Sequence, residues 1–179
     1  MHDPSPSGDE GLIMPPRLAP TQVVIVPIYR GEEQLEMISV KAKQIMSELK
    51  AKGISVKFDK RDTHKPGWKF AEYELKGVPL RIAMGPRDME NGTVELARRD
   101  TLTKEIVNQD ELVVTIEDLL AKIQTSLFDK AKDYRNDHIT KVDNFGDFKN
   151  VLNDKGGFVS AHWDGTSETE NKIKDQTKA

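Results

Sequence analysis

Cysteine is absent from the 179 residues. Disulfides, cysteine nucleophiles and thiolate metal sites are therefore excluded within the chain. Histidine is scarce. His2, His64, His138 and His162 stand far apart with no i, i+4 pair, so no histidine metal cluster is expected. No apolar run approaches the roughly 18 residues that a membrane helix needs. The N-terminus lacks the basic, apolar and small-residue succession of a secretory leader. A cytoplasmic chain with no membrane partner is the expectation. A phosphate-binding loop is missing too, because Gly85 to Gly92 lacks both the glycine spacing and the Lys-Ser/Thr end. No Ser/His/Asp set can be defined from spacing alone, so no catalytic residue is nominated.

What is present is ordinary for a modest globular core, with 36% hydrophobic and 32% charged residues. The formal net charge is -3, but it is unevenly spread. Residues 57–104 hold 11 Lys/Arg against 8 Asp/Glu, and the rest hold 16 against 22. The middle is basic and the flanks are acidic, a weak electrostatic footprint for a polyanion.

Residues 1–20 are rich in Pro, Gly and Asp without a period and read as a linker. Gln22 to Ile28 is a near-continuous apolar run that fits a buried parallel strand. Leu35, Ile38, Ala42, Ile45, Met46 and Leu49 then recur at helical spacing, with Gly53 at the C-cap. Ile54 to Phe58 predicts a second strand. Pro66 opens a short helix, Gly77 closes it, and Pro79 to Gly85 predicts a third strand. Thr93 to Arg99 and Lys104 to Val107 follow as further strands. Thr115-Ile-Glu-Asp118 resembles a capping box ahead of a stripe at Ile116, Leu119, Leu120, Ile123, Leu127, Ala131 and Tyr134. From Ile139 the pattern changes. A helix near Asp143 to Leu152, a strand at Phe158 to Trp163 and a polar helical end are expected, in a unit too small to be stable alone.

Three stretches carry a family resemblance. GLIMPPRLAPTQVVIVPIY resembles the junction between catalytic and anticodon-binding domains in prolyl-tRNA synthetases of the archaeal and eukaryotic type. DKRDTHKPGWKFAEYELKGVPLRIAMGPRDMENGTVELARRD resembles the heart of that anticodon-binding domain. GGFVSAHWDGTSETENKIKDQTKA resembles the first half of their extra C-terminal domain. The resemblance implies an α/β anticodon-binding domain over residues 21–138, with a mixed five-stranded sheet flanked by helices. Residues 1–20 would be the end of the catalytic domain and linker, and 139–179 a partial, small α+β C-terminal domain. It also implies a homodimeric parent enzyme that binds ATP, Mg and proline in a catalytic domain lacking here, with tRNA-Pro as partner and no DNA. This chain alone is not expected to form prolyl-adenylate or to need a cofactor. Many relatives of that type ligate zinc through cysteines in a W-C-G-x-x-E-C-E pattern. Here Trp163-Asp164-Gly165-Thr166-Ser167-Glu168-Thr169-Glu170 puts Asp164 and Thr169 at those places, and zinc is not expected.

A proline anticodon ends in two guanines. A guanine offers two adjacent donors, N1–H and the N2 amine, which one carboxylate accepts together, and O6 and N7, which suit Arg or Lys. Unstacked bases are also stacked on aromatic rings. Acids, bases and an aromatic are therefore needed together. Phe70 and Glu74 are four apart on the short helix and share a face, while Trp68, Ala71 and Leu75 are expected to form its core contact. Arg81 lies in the third strand, Asp88 in the turn after it and Lys104 in the last strand. The resemblance implies anticodon contacts for Phe70, Glu74, Arg81, Asp88 and Lys104. Arg61, His64 and Lys69 are candidates for the RNA backbone or plain solubilising charge. Arg81 with Asp88 as a structural ion pair, and Arg98 and Arg99 as surface charges, are the plainer readings. The competing function is a protein-interaction or dimerisation module that reuses the same fold.

Overall fold

In a computed structural model, residues 11–177 are described. The first ten residues of the 1–20 segment lie outside them. The chain forms two compact units that divide after Phe128. The first contains β1 (Val23–Pro27), α1 (Glu32–Ala51), β2 (Val56–Phe58), α2 (Pro66–Leu75), β3 (Leu80–Met84), α3 (Pro86–Asn91), β4 (Thr93–Arg98) and β5 (Lys104–Asn108). Helix α4 (Leu112–Asp137) carries the division, ahead of Ile139 where the sequence pattern changes. No helix among the described residues is long and apolar enough to cross a membrane.

The five strands form one sheet in the order β2-β1-β3-β4-β5. β1 runs parallel to β2 and β3, whereas β3–β4 and β4–β5 are antiparallel. This is the expected mixed sheet flanked by helices. β1 is buried along its whole length, which is why its sequence is an unbroken apolar run. Its alternate side chains serve two cores. Val23 and Ile25 join Ile38, Ala42, Ile45 and Leu49 of α1 and Leu112, Ile116 and Ile123 of α4. Val24 and Val26 join a much smaller cluster with Tyr73, Val78 and Phe70.

Two expectations about helices are corrected. α4 begins at Leu112, so Thr115 is inside it and its hydroxyl donates back to the Glu111 carbonyl at 2.9 Å. The turn after β5 already closes through the Glu111 N–H on the Asn108 carbonyl, and fully buried Leu112 starts the helix one turn early. On α2 the faces are inverted. Trp68 is 48% and Leu75 66% exposed, while Lys69 and Tyr73 face the sheet.

The inversion follows from one carboxylate. Asp59, 2% exposed at the end of β2, accepts from the Arg61 N–H and guanidinium and from the Tyr73 hydroxyl. The Lys69 ammonium donates to the Asp59 and Arg61 carbonyls, and Arg61 reaches on to Glu72 of α2. Lysine and tyrosine stems pack on the sheet while their tips meet these polar groups. The Arg61 guanidinium, aided by Lys69 and Tyr73, holds the Asp59 carboxyl well below the usual carboxylate range. Burial, and then the Asp59 charge, push the Tyr73 hydroxyl up to about 12.

The second unit pairs β6 (Ile139–Lys141) in parallel with β7 (Phe158–Ser160) and contains α5 (Phe145–Asn150), a π-helical turn (Val151–Lys155) and α6 (Ser167–Thr177). β6 was not anticipated, and β7 stops short of Trp163. The Asn144 side chain caps α5 by accepting the Asp147 N–H. Asp164 and Thr169 meet: the Thr169 hydroxyl lies 2.6 Å from the Asp164 carboxylate, which also accepts from the Thr166 N–H and hydroxyl. The Thr169 hydrogen bond is the main cause of a lowered Asp164 pKa.

Two stability predictions follow from the first unit. Gly53 and Gly77 both sit at positive φ, 74° and 68°. A Cβ on Gly53 meets open space, whereas one on Gly77 would stand 2.7 Å from the Leu12 carbonyl oxygen. Gly53→Ala should cost about 1 kcal/mol, the left-handed penalty alone, and Gly77→Ala clearly more in urea unfolding. Equal losses would contradict the close approach.

Asp59→Ala should cost about 3 kcal/mol, because buried Lys69 loses its counter-charge. The carboxyl is more acidic in the folded state, so its contribution is complete above the ordinary value of 3.8 and is lost as pH falls below it. Asp59→Asn should therefore start less stable at pH 7 and lose less on acidification to pH 3. Parallel pH curves for parent and variant would count against the clasp.

Candidate nucleic-acid interface

α2 covers only part of its side of the sheet. The antiparallel register places Arg81 opposite Ala97, Ala83 opposite Glu95, Glu95 opposite Ile106 and Ala97 opposite Lys104. Side chains alternate between the two faces. Since Leu80, Ile82, Val94, Leu96 and Val107 belong to the larger core, Arg81, Glu95, Lys104 and Ile106 share the α2 face. Ile106 is exposed there.

Arg81 is the centre of this face. Only 5% exposed, its guanidinium carbon lies 3.6 Å from the Phe70 ring centroid. Both its terminal nitrogens lie 3.3 Å from Glu95 Oε1. Lys104 stands 3.9 Å from the same oxygen. Burial pushes the Arg81 pKa down, and the Glu95 and Glu74 charges oppose that shift. Glu74 is exposed, and its carboxylate makes no hydrogen bond or ion pair among the described residues. Phe70, Glu74, Arg81 and Ala97 line one small cavity. The structure thus brings Phe70, Glu74, Arg81 and Lys104 onto one surface, as a mixed reader requires. One face of Phe70 is taken by Arg81, so a stacked base would meet the other face or the guanidinium plane.

Asp88 is elsewhere. It occupies the first turn of α3 and its carboxylate accepts the Gly85 N–H at 2.8 Å. Arg81 lies four residues before Gly85, roughly 13 Å along an extended strand, so the Arg81–Asp88 ion pair is replaced by Arg81–Glu95. Asp88 lines a separate crevice with Ile28, Tyr29, Arg30, Gln34 and Arg87, outside the C-terminal ends of β1 and β3. In doubly wound sheets of this strand order, that is the switch point where ligands bind.

The three backbone candidates fare differently. Lys69 is 1% exposed and spends its ammonium inside the Asp59 clasp, so it is not a surface charge available to phosphate. Arg61 is exposed but engaged with Asp59 and Glu72. His64 stacks on Trp68 at 3.7 Å between centroids. Arg99, expected at the surface, is buried and donates to the Leu12 and Glu74 carbonyls. Arg98 pairs with Asp100 at 2.8 Å. Glu95 was missed. Its signal was present in the Thr93 to Arg98 alternation, once β4 is paired as a hairpin with β3.

Comparison with known proteins identifies the family of the chain. The anticodon binding domain family matches residues 22–124, and the family of prolyl-tRNA synthetase C-terminal domains matches residues 145–179. The chain is 69% identical over 173 residues to a proline–tRNA ligase of Christiangramia forsetii and 61% to one of Flavobacterium psychrophilum. Each alignment covers 97% of this chain but 35% of the relative, so the chain spans about a third of the length of these proteins. It superimposes with a TM-score of 0.81 and 36% identity on a crystal structure of prolyl-tRNA synthetase from Cryptosporidium parvum complexed with L-proline and AMP, covering 96% of this chain and 36% of that one. The chain belongs to the anticodon binding domain family, in the form followed by the prolyl-tRNA synthetase C-terminal domain.

Proposed function

We propose that this chain reads the anticodon of tRNA-Pro as part of a proline–tRNA ligase, a class II synthetase that joins proline to tRNA at the expense of ATP. The observation that supports it best is the shared face of Phe70, Glu74, Arg81 and Lys104 within the matched residues 22–124. It combines an aromatic ring, a carboxylate with no hydrogen-bond or ion-pair partner among the described residues, and two cations, the mixture that guanine edges demand. Asp88, at the switch-point crevice, is the further base contact. Proline, ATP and magnesium would bind in the catalytic domain of the parent enzyme, which is a homodimer acting in the cytoplasm, and no zinc is required.

Glu74 carries the sharpest test. Removing a carboxylate beside RNA ordinarily strengthens binding, since repulsion of phosphate falls. Base reading predicts the opposite. Glu74→Ala should weaken binding of an anticodon stem-loop ending in two guanines by about 1–3 kcal/mol, the scale of a bidentate base contact. It should spare or improve binding of a stem-loop with those bases changed. Titration of both RNAs at one salt concentration decides it. Equal binding of both RNAs by variant and parent would remove Glu74 as a reader, and a parent without preference would favour the protein-interaction alternative.

A further inference from the structure

We infer that Glu95 is a positioning and specificity residue for base reading, which keeps Arg81 and Lys104 aimed at base edges and away from phosphate. The inference rests on the tRNA-reading function above. Three observations carry it. Glu95 is the group that both cations on the reading face share, at 3.3 and 3.9 Å. It comes from the strand that lies between those of the two cations, so the sheet register fixes the spacing of the triad. Its side chain is 33% exposed and that of Lys104 55%, while Arg81 lies beneath them at 6%, so a ligand meets the triad from the Glu95 and Lys104 side.

The chemistry gives Glu95 a selective role. A guanidinium carries five N–H donors. Glu95 takes one from each terminal nitrogen of Arg81, and Phe70 lies beneath the plane. The guanidinium is thereby locked in orientation, and its remaining donors point in fixed directions. A locked fork suits paired acceptors such as O6 and N7 of guanine. A free one follows the nearest phosphate, which carries no sequence information. The carboxylate also offsets charge that would bind any RNA. Glu95 trades total affinity for discrimination, acting through Arg81 and Lys104.

The experiment uses the 179-residue chain and stem-loop RNAs whose anticodons end in two guanines, two adenines or two 7-deazaguanines. Glu95→Gln keeps the size and an oxygen acceptor for Arg81 but removes the charge. The preference for guanine over adenine RNA should fall about tenfold, within the scale of one base contact, with adenine RNA binding more tightly than to the parent. The slope of log affinity against log salt should steepen by about 0.7, the share of one added phosphate on a single strand. Glu95→Asp, which restores the charge, should recover the preference. A purely structural role would lower the unfolding midpoint yet leave preference and salt slope at parental values, and that result overturns the inference. The parent gives a measurement that needs no variant. It should bind the deaza RNA several-fold more weakly than the guanine RNA, because N7 is gone. Equal binding of those two, with guanine still preferred over adenine, overturns the Glu95 inference alone. No preference for guanine over adenine overturns the tRNA reading with it.

Discussion

The buried carboxylate of Asp59 is the constraint on which the proposed reading face depends. α2 has ten residues and covers only part of one side of the sheet. The apolar cluster beneath it is small, four buried side chains with Phe70 at the edge. Such a cluster gives a short helix little orientational preference, because hydrophobic contact is non-directional. Asp59 supplies the direction. It engages Arg61, Lys69 and Tyr73 together, and two of those belong to α2. The helix is fixed in rotation, and Phe70 and Glu74 fall where Arg81 can meet them. A charge is costly to bury unless its partners are complete. Here no buried side-chain polar atom among the described residues lacks a partner.

That dependence explains why the two faces of the sheet are built differently. The side toward α1 and α4 is filled with aliphatic residues and carries stability. The side toward α2 gives up core volume to Arg81, Glu95 and the exposed strip that ends at Lys104 and Ile106. Charges held on regular strands have spacings set by the backbone ladder, which loops cannot supply to the same tolerance. The charges on the α2 side are therefore spaced by the backbone ladder at the expense of core volume.

Much of this architecture was legible in the sequence, and the misses share a cause. The α1 stripe, the unbroken β1 run and the Pro66 and Gly77 boundaries were readable because each depends on local periodicity or backbone chemistry. The orientation of α2 was not. Its apolar residues fall on both sides, and Trp68 with Leu75 looks like the better core face. The decision was made by Asp59, seven residues before the helix starts, whose partners on α2 are a lysine and a tyrosine. Glu95 escaped for a similar reason. A lone glutamate in a strand is ordinarily a solvated side chain, and only the pairing of β4 with β3 and β5 brings it to Arg81 and Lys104. Asp88 was read as part of a turn and as a partner of Arg81, whereas it lies in the first turn of α3, beyond the three strand residues and the glycine that follow Arg81. β6 has only three residues and no periodicity to betray it.

The incoming chain is tied to the same surface. Arg99 donates through Nε both to the Leu12 carbonyl and to the Glu74 carbonyl, and the Met14 N–H donates to the Gly77 carbonyl at 3.1 Å. Gly77 tolerates this only because it lacks a Cβ, and its positive φ turns α2 into β3 at the same point. Glu74, which presents the exposed carboxylate, therefore shares a guanidinium with the segment entering the domain. Displacement of residues 12–14 would alter the hydrogen bonds at the C-terminal turn of α2, where exposed carbonyls have few alternatives to such donors. The placement of Glu74 thus depends on two anchors on one short helix, Asp59 through Lys69 and Tyr73 and Arg99 at the last turn.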